Sequence, residues 1–124
     1  MNSKQLQDRT KQFALRIIRL VAALPKNRLG DVLGRQVLRS GTSVGANYRE
    51  ALRASSKKHF ISTTQIVLRE ADETLYWLEL ILETETVKSS RLGPLLSECR
   101  ELVAVFAATV RTSKNRGIDR KSEI

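Results

Sequence analysis

An all-α fold, an antiparallel up-down-up-down four-helix bundle, is predicted by three features of this 124-residue chain. Apolar residues recur at steps of three and four along most of it. Only two prolines and six glycines interrupt that rhythm. No stretch alternates apolar and polar residues as a half-buried strand does. The length fits one domain, and a hydrophobic content of 41% is enough to form a core.

The first helix is expected from about Ser3 to Leu24, with Leu6, Phe13, Ile17, Leu20, Val21 and Leu24 on one face and Pro25 as its stop. The second starts near Arg28 and runs to about Ala54. Its row of residues 29, 33, 37, 44, 48 and 51 keeps helical phase across Gly41 and Gly45, so one long helix is expected rather than two. Each interior glycine costs about 1 kcal/mol relative to alanine, and close approach of another backbone is the usual compensation. Ser55 and Ser56 offer an N-cap for the third helix, which fades near Glu85. Its inner face is expected to be Phe60, Thr64, Val67, Leu68, Ala71, Leu75, Leu78 and Leu82. Gly93-Pro94 marks the turn before a fourth helix carrying Leu95, Leu96, Cys99, Leu102, Val103, Phe106 and Val110. Residues 1–112 are read as the bundle domain, and 113–124 as a basic, disordered tail.

Charge is distributed unevenly. The net charge is +9, yet residues 1–58 hold 13 Lys and Arg against 3 Asp and Glu, while residues 59–100 hold 4 against 7. Such asymmetry suits a polyanionic partner such as nucleic acid, or acidic patches on another subunit. The polar N-terminus is not a signal peptide, no apolar run approaches a membrane span, and the single cysteine forms no internal disulfide. A cytoplasmic, bacterial-type protein is expected.

Arg35, Arg39, Arg49, Arg53 and Lys57 fall at helical steps on one face, and Arg16 and Arg19 add a basic face on the first helix. Arginine's planar fork bonds two phosphate oxygens at once. No aromatic residue interleaves the row, so backbone contact without base stacking is expected. A polar row on the second helix, Gln36, Ser40, Ser43 and Asn47, points toward the bundle, and a seam is expected to join Ser43 and Asn47 to Glu70 and Glu73 of the third. This seam reads as a register-fixing network ahead of a catalytic site. Apolar residues on more than one stripe of the third helix, among them Trp77, Leu80 and Ile81, point to a subunit interface. One histidine and one cysteine make a metal site implausible, and the only histidine, His59, is no base for serine chemistry. Neither a catalytic residue nor a cofactor is expected, and the chain is read as no enzyme.

Two segments are more specific. Leu38-Arg39-Ser40-Gly41-Thr42-Ser43-Val44-Gly45-Ala46-Asn47-Tyr48-Arg49-Glu50-Ala51 and Leu68-Arg69-Glu70-Ala71-Asp72-Glu73-Thr74-Leu75-Tyr76-Trp77-Leu78 resemble the four-helix-bundle 23S rRNA-intervening-sequence proteins. The resemblance spans about Phe13 to Val110. It implies a ring-like homo-oligomer, commonly a pentamer. A related branch, the accessory protein of diversity-generating retroelements, implies nucleic acid and a reverse transcriptase as partners. The expected function is thus a non-enzymatic oligomeric bundle that binds RNA or DNA backbone through its arginine face. The alternative is a purely structural or protein-interaction ring with no nucleic-acid role.

Overall fold

The computed structural model describes residues 1–122, with side chains described through residue 116. The described residues form four helices: α1 (Ser3–Ala23), α2 (Arg28–Ala51), α3 (Lys57–Glu83) and α4 (Ser89–Ser122). There is no strand among the described residues. The separate tail expected over 113–124 falls mostly on residues whose side chains lie outside that description.

Local chemistry sets the helix ends. Asn2 Oδ1 accepts the Gln5 N–H at 2.8 Å while Gln5 Oε1 accepts the Asn2 N–H at 3.0 Å, a reciprocal capping box. Asn27 Oδ1 accepts from Gly30 N, and Ser56 Oγ accepts from His59 N, starting α2 and α3. At the end of α3, Glu85 has a φ of 53°, and the Glu85 and Thr86 N–H groups reach back to Leu82 O and Ile81 O. These two bonds form a Schellman motif with a glutamate where glycine is usual. The α1–α2 turn lays the Pro25 carbonyl over Gly30, where a Cβ would overlap its oxygen.

Continuity of α2 through Gly41 and Gly45 is as the phase of its apolar row predicts. Both glycines face α1. A Cβ at Gly41 would lie 2.8 Å from Ile17 Cγ1, and one at Gly45 would lie 3.4 Å from the Thr10 carbonyl. The small residues thus let α1 and α2 approach closely. Neighbouring hydroxyls fold back onto their own helix, with Ser40 Oγ donating to Gln36 O and Thr42 Oγ1 to Leu38 O.

The helices are antiparallel to their neighbours. Gly34 meets Val21 and Leu24 while Gly45 meets Thr10, and Ser40 of α2 meets Thr74 of α3. The core joins Phe13 and Ile17, Val37 and Val44, Val67, Leu78 and Ile81, and Leu92, Leu102 and Phe106. Tyr48 of α2 sits edge-on to Phe106 of α4, with ring centroids 5.3 Å apart. Helices consecutive in the chain pack most extensively, and of the four pairs that lie side by side α1 and α4 meet least.

Two expectations are corrected. α4 begins at Ser89, and Pro94 lies inside it. A proline in the second helical turn removes a single backbone bond close to the end, and the exposed Ser90 leaves that carbonyl open to water. The buried stripe of α3 is also turned toward α2. Thr63, Glu70, Thr74 and Ile81 are buried, whereas Leu68, Leu75 and Leu82 are half-buried.

Candidate nucleic-acid interface and polar seam

The core fixes which arginines are available. The buried residues of α2 define its inner face, and Arg35 and Arg49 project on the opposite side; α2 ends at Ala51, short of the expected Ala54, so Arg53 sits in the turn that follows, and all three are exposed to solvent. Arg35 and Arg49, about four turns apart, share one outer stripe of α2. Arg39 shares that stripe but reaches sideways. Its guanidinium donates to Glu70 Oε2 at 3.1 Å and to Glu73 Oε1, joining α2 to α3. The hydrogen bond from Arg39 holds the Glu73 carboxyl below its ordinary value, and the Glu73 bond raises Arg39 in turn. Glu70 is only 8% exposed, so Arg39 supplies the counter-charge that its burial requires.

The remaining predicted cations separate. Lys57 opens the first turn of α3 and is exposed. Arg16 and Arg19 of α1 turn toward α4 and line a shallow groove of about 190 Å³ with Arg91 and Leu95. Arg9, beside them, is held by Glu98. The Nε and Nη2 atoms donate to the two carboxylate oxygens at 2.8 and 2.6 Å, and Glu101 lies 3.3 Å from Nη2. That bidentate pair holds Glu98 below its usual carboxylate range.

The predicted seam is rearranged. Glu70 and Glu73 do share a site, but Ser43 and Asn47 do not join it. Ser43 Oγ donates to Arg39 O at 2.6 Å, and Asn47 Nδ2 donates to Ser43 O at 2.9 Å, both within α2. Helical phase places Asn47 at the edge of the interface, where its own backbone is the nearer acceptor. The cross-helix bonds come from Arg39 and from a buried hydroxyl pair, in which Ser40 points inward as its row predicts and Thr74 was missed. Thr74 Oγ1 lies 2.9 Å from Ser40 Oγ and 2.7 Å from Glu70 O. No buried side-chain nitrogen or oxygen lacks a partner among the described residues. Polar residues thus fix the α2–α3 register with every group satisfied.

Of the three predicted interface residues, Ile81 is corrected: it is fully buried within the bundle, because the core stripe of α3 is turned toward α2. Trp77 and Leu80 are half-buried. Trp77 stacks edge-on with Tyr76 at 5.2 Å, its indole N–H 3.5 Å from Glu73 Oε1. Tyr76, 55% exposed, was missed although it adjoins Trp77 in sequence. Leu29 and Val32 are exposed on α2. The register that sets Arg39 beside Glu73 brings Val32 level with Leu80, so these side chains border one α2–α3 face.

His59 is exposed and accepts the Ser55 N–H on Nδ1. Cys99 is buried, donates toward Ala71 O at 3.4 Å, and has its thiol pushed up to about 12 by that burial. Among the described residues no three His, Cys, Asp or Glu side chains gather as metal ligands, and no helix is long and apolar enough to cross a membrane.

Comparison with known proteins bears on this arrangement. The family described as 23S rRNA-intervening sequence protein matches residues 3–108. A crystal structure of a protein of unknown function from the S23 ribosomal protein family of Bacteroides thetaiotaomicron is similar to this chain, with a TM-score of 0.82 and 36% identity. The match covers 90% of this chain and 99% of that one. Among proteins with curated descriptions, none matches.

Proposed function

We infer, from the fact that this chain belongs to the 23S rRNA-intervening sequence protein family, that it is a non-enzymatic, cytoplasmic, oligomeric bundle that binds the nucleic-acid backbone. The observation that carries the reading is the outer stripe of α2. Arg35 and Arg49 on it, and Arg53 just beyond the helix end, are exposed and make no ion pair among the described residues, while Arg9 and Arg39 are engaged in ion pairs. A stripe of arginines without aromatics suits phosphate contact that ignores sequence. A reverse transcriptase would be its protein partner, as the resemblance to the accessory protein of diversity-generating retroelements implies. Self-association, with five copies in a ring, would use the α2–α3 face bordered by Tyr76, Trp77 and Leu80.

Binding to a labelled duplex or structured RNA across a salt series tests the reading. The slope of log affinity against log salt should be steep, about −0.9 per phosphate contacted on B-form DNA. Arg35→Ala/Arg49→Ala/Arg53→Ala should weaken all sequences alike and flatten the slope. Unchanged affinity and slope in the triple variant would remove the stripe from the site. Light scattering gives the assembly, and a mass of 14.0 kDa at micromolar concentration would rule out the ring.

A second reading, a protein-interaction ring with no nucleic-acid role, is favoured by one observation. The α2–α3 face presents Leu29, Val32 and Tyr76 to solvent beside the Arg39–Glu73 pair.

A further inference from the structure

The outer seam between α1 and α2 opens into a cleft of about 470 Å³. Gly45 of α2 and Thr10 of α1 are buried at its base, with the half-buried Ala14 of α1 beside them and the exposed Ala46 of α2 at its outer edge. The base is narrow because the two backbones approach closely at Gly45 and Thr10, and it stays open because Gly45 and Ala14 carry so little side chain. Lys4 and Lys11 stand on the α1 rim and Arg49 on the α2 rim, all exposed. Among the described residues none of these three cations makes an ion pair, although Arg9 and Arg39 find carboxylates nearby. Asp8 is the one carboxylate on the lining among the described residues, against three cations, so the cleft keeps an excess of positive charge. Gln7 adds an amide donor, whereas the Thr10 and Thr42 hydroxyls donate to their own helix.

We propose that this α1–α2 cleft, with Lys4 and Lys11 facing Arg49 across a floor of small residues, is a binding site for a phosphate group. Cations on both rims bracket an anion, and arginine bonds two of its oxygens at once. The floor offers no aromatic platform, so a phosphate and its sugar enter rather than a stacked base. The phosphate comes from one strand of a nucleic acid or from a free phosphorylated small molecule. The first source deepens the nucleic-acid reading above and moves its centre from the crest of α2 into the α1–α2 seam. The second is independent of that reading.

Two variants test the site in the full chain. Lys4→Gln/Lys11→Gln removes rim charge, and Ala46→Leu narrows the α2 edge of the cleft without changing charge, at an exposed helical position that tolerates leucine. Circular dichroism melts check that both fold. Anisotropy with a labelled single-stranded oligonucleotide and calorimetry with pyrophosphate read the two phosphate sources. The inference expects both variants to weaken binding about tenfold. The lysine variant should also flatten the salt slope by about 1.4, or 0.7 per single-strand contact. Loss of pyrophosphate binding in both variants, with no oligonucleotide bound by the parent, would keep the cleft and sink the nucleic-acid reading. Parental affinity in Ala46→Leu would overturn the cleft even if the lysine variant binds less, because charge would then act without a site. The cleft is equally overturned if only Arg35→Ala/Arg53→Ala weakens binding, or if the parent binds neither probe.

Discussion

Gly41→Ala sets helix propensity against packing within one residue. Alanine is the better helix former by about 1 kcal/mol. Its Cβ, however, would lie 2.8 Å from Ile17 Cγ1, 3.0 Å from Cγ2 and 3.3 Å from Cβ. Ile17 is fully buried and β-branched, so its stem is confined to one rotamer in the helix and cannot swing aside. Overpacking of this kind costs about 1–3 kcal/mol, which leaves a net loss centred near 1 kcal/mol. Gly34 supplies the comparison. It lies on the same helix and faces the same neighbour, but its Cβ would meet the terminal Leu24 Cδ1 at 3.2 Å and Val21 Cγ1 at 3.4 Å. The end of a leucine moves cheaply, so Gly34→Ala should keep most of the helical gain. Propensity cancels between the two variants, and their difference of about 1–3 kcal/mol isolates the overlap at Ile17. Urea unfolding at a fixed protein concentration measures it, which also holds any assembly contribution constant. Ile17→Ala alone should cost about 2–5 kcal/mol. In that background Gly41→Ala should become stabilising, since the methyl group then fills space. The reasoning fails if Gly34→Ala and Gly41→Ala shift the midpoint alike. It fails equally if Ile17→Ala leaves the Gly41 effect unchanged within about 0.5 kcal/mol.

Stability should fall on the acid side. Arg9 holds Glu98, and Arg39 holds Glu73, below the ordinary glutamate value of 4.5, so the unfolded chain takes up protons first. The contribution of both pairs is complete above that value and is lost as pH drops through the lowered folded values. Arg9→Gln should remove the Glu98 share of this acid limb, and an identical limb in the variant would contradict the assignment. Cys99, with its thiol pushed up to about 12 by burial, should resist alkylation near pH 8 in the native protein and react once urea unfolds it. Rapid labelling without denaturant would contradict its place in the core. Glu85→Gly should raise the melting temperature, because the left-handed backbone there costs a non-glycine residue about 1–2 kcal/mol. A lowered melting temperature would mean that the Schellman turn is not formed.

The sequence carries the helices better than the bonds between them. Leu6, Phe13 and Ile17, or Leu95 through Phe106, announce their helices because burial acts on every turn and periodicity records it. The continuity of α2 is equally legible, since a break at Gly41 would shift the phase of Val44 and Tyr48. Pro94 misleads because its local meaning as a breaker depends on distance from the helix start, which composition does not mark. Ile81 misleads because a core stripe has a width, and which edge is covered depends on the neighbouring helix. The polar seam is half-legible. Spacing finds Glu70 and Glu73, but Arg39 looks like a free cation until its partners are seen. A long side chain can leave its own stripe, and helical phase locates Cβ atoms, not guanidinium groups. Lys4 and Lys11 carry no signal of their own for a related reason: only the packing of α1 on Gly45 turns two surface lysines into the wall of a cleft.

The sparse contact between α1 and α4 bears on how the molecule assembles and comes apart. Three of its seams join helices that follow one another along the chain, so each can close as a local hairpin. The fourth depends on groups as distant as Arg9 and Glu98, 89 residues apart, and the entropy of joining chain ends grows with their separation. Folding should therefore be fast, as for other chains rich in near-neighbour contacts, with this seam the last to close. In the native state it should also be the first to part. Amide protons in the outer turns of α1 and α4 would then exchange through a partial opening that leaves α2 and α3 paired. Those of the hairpin between them, tied by Arg39 and the Ser40–Thr74 hydroxyls, would wait for complete unfolding.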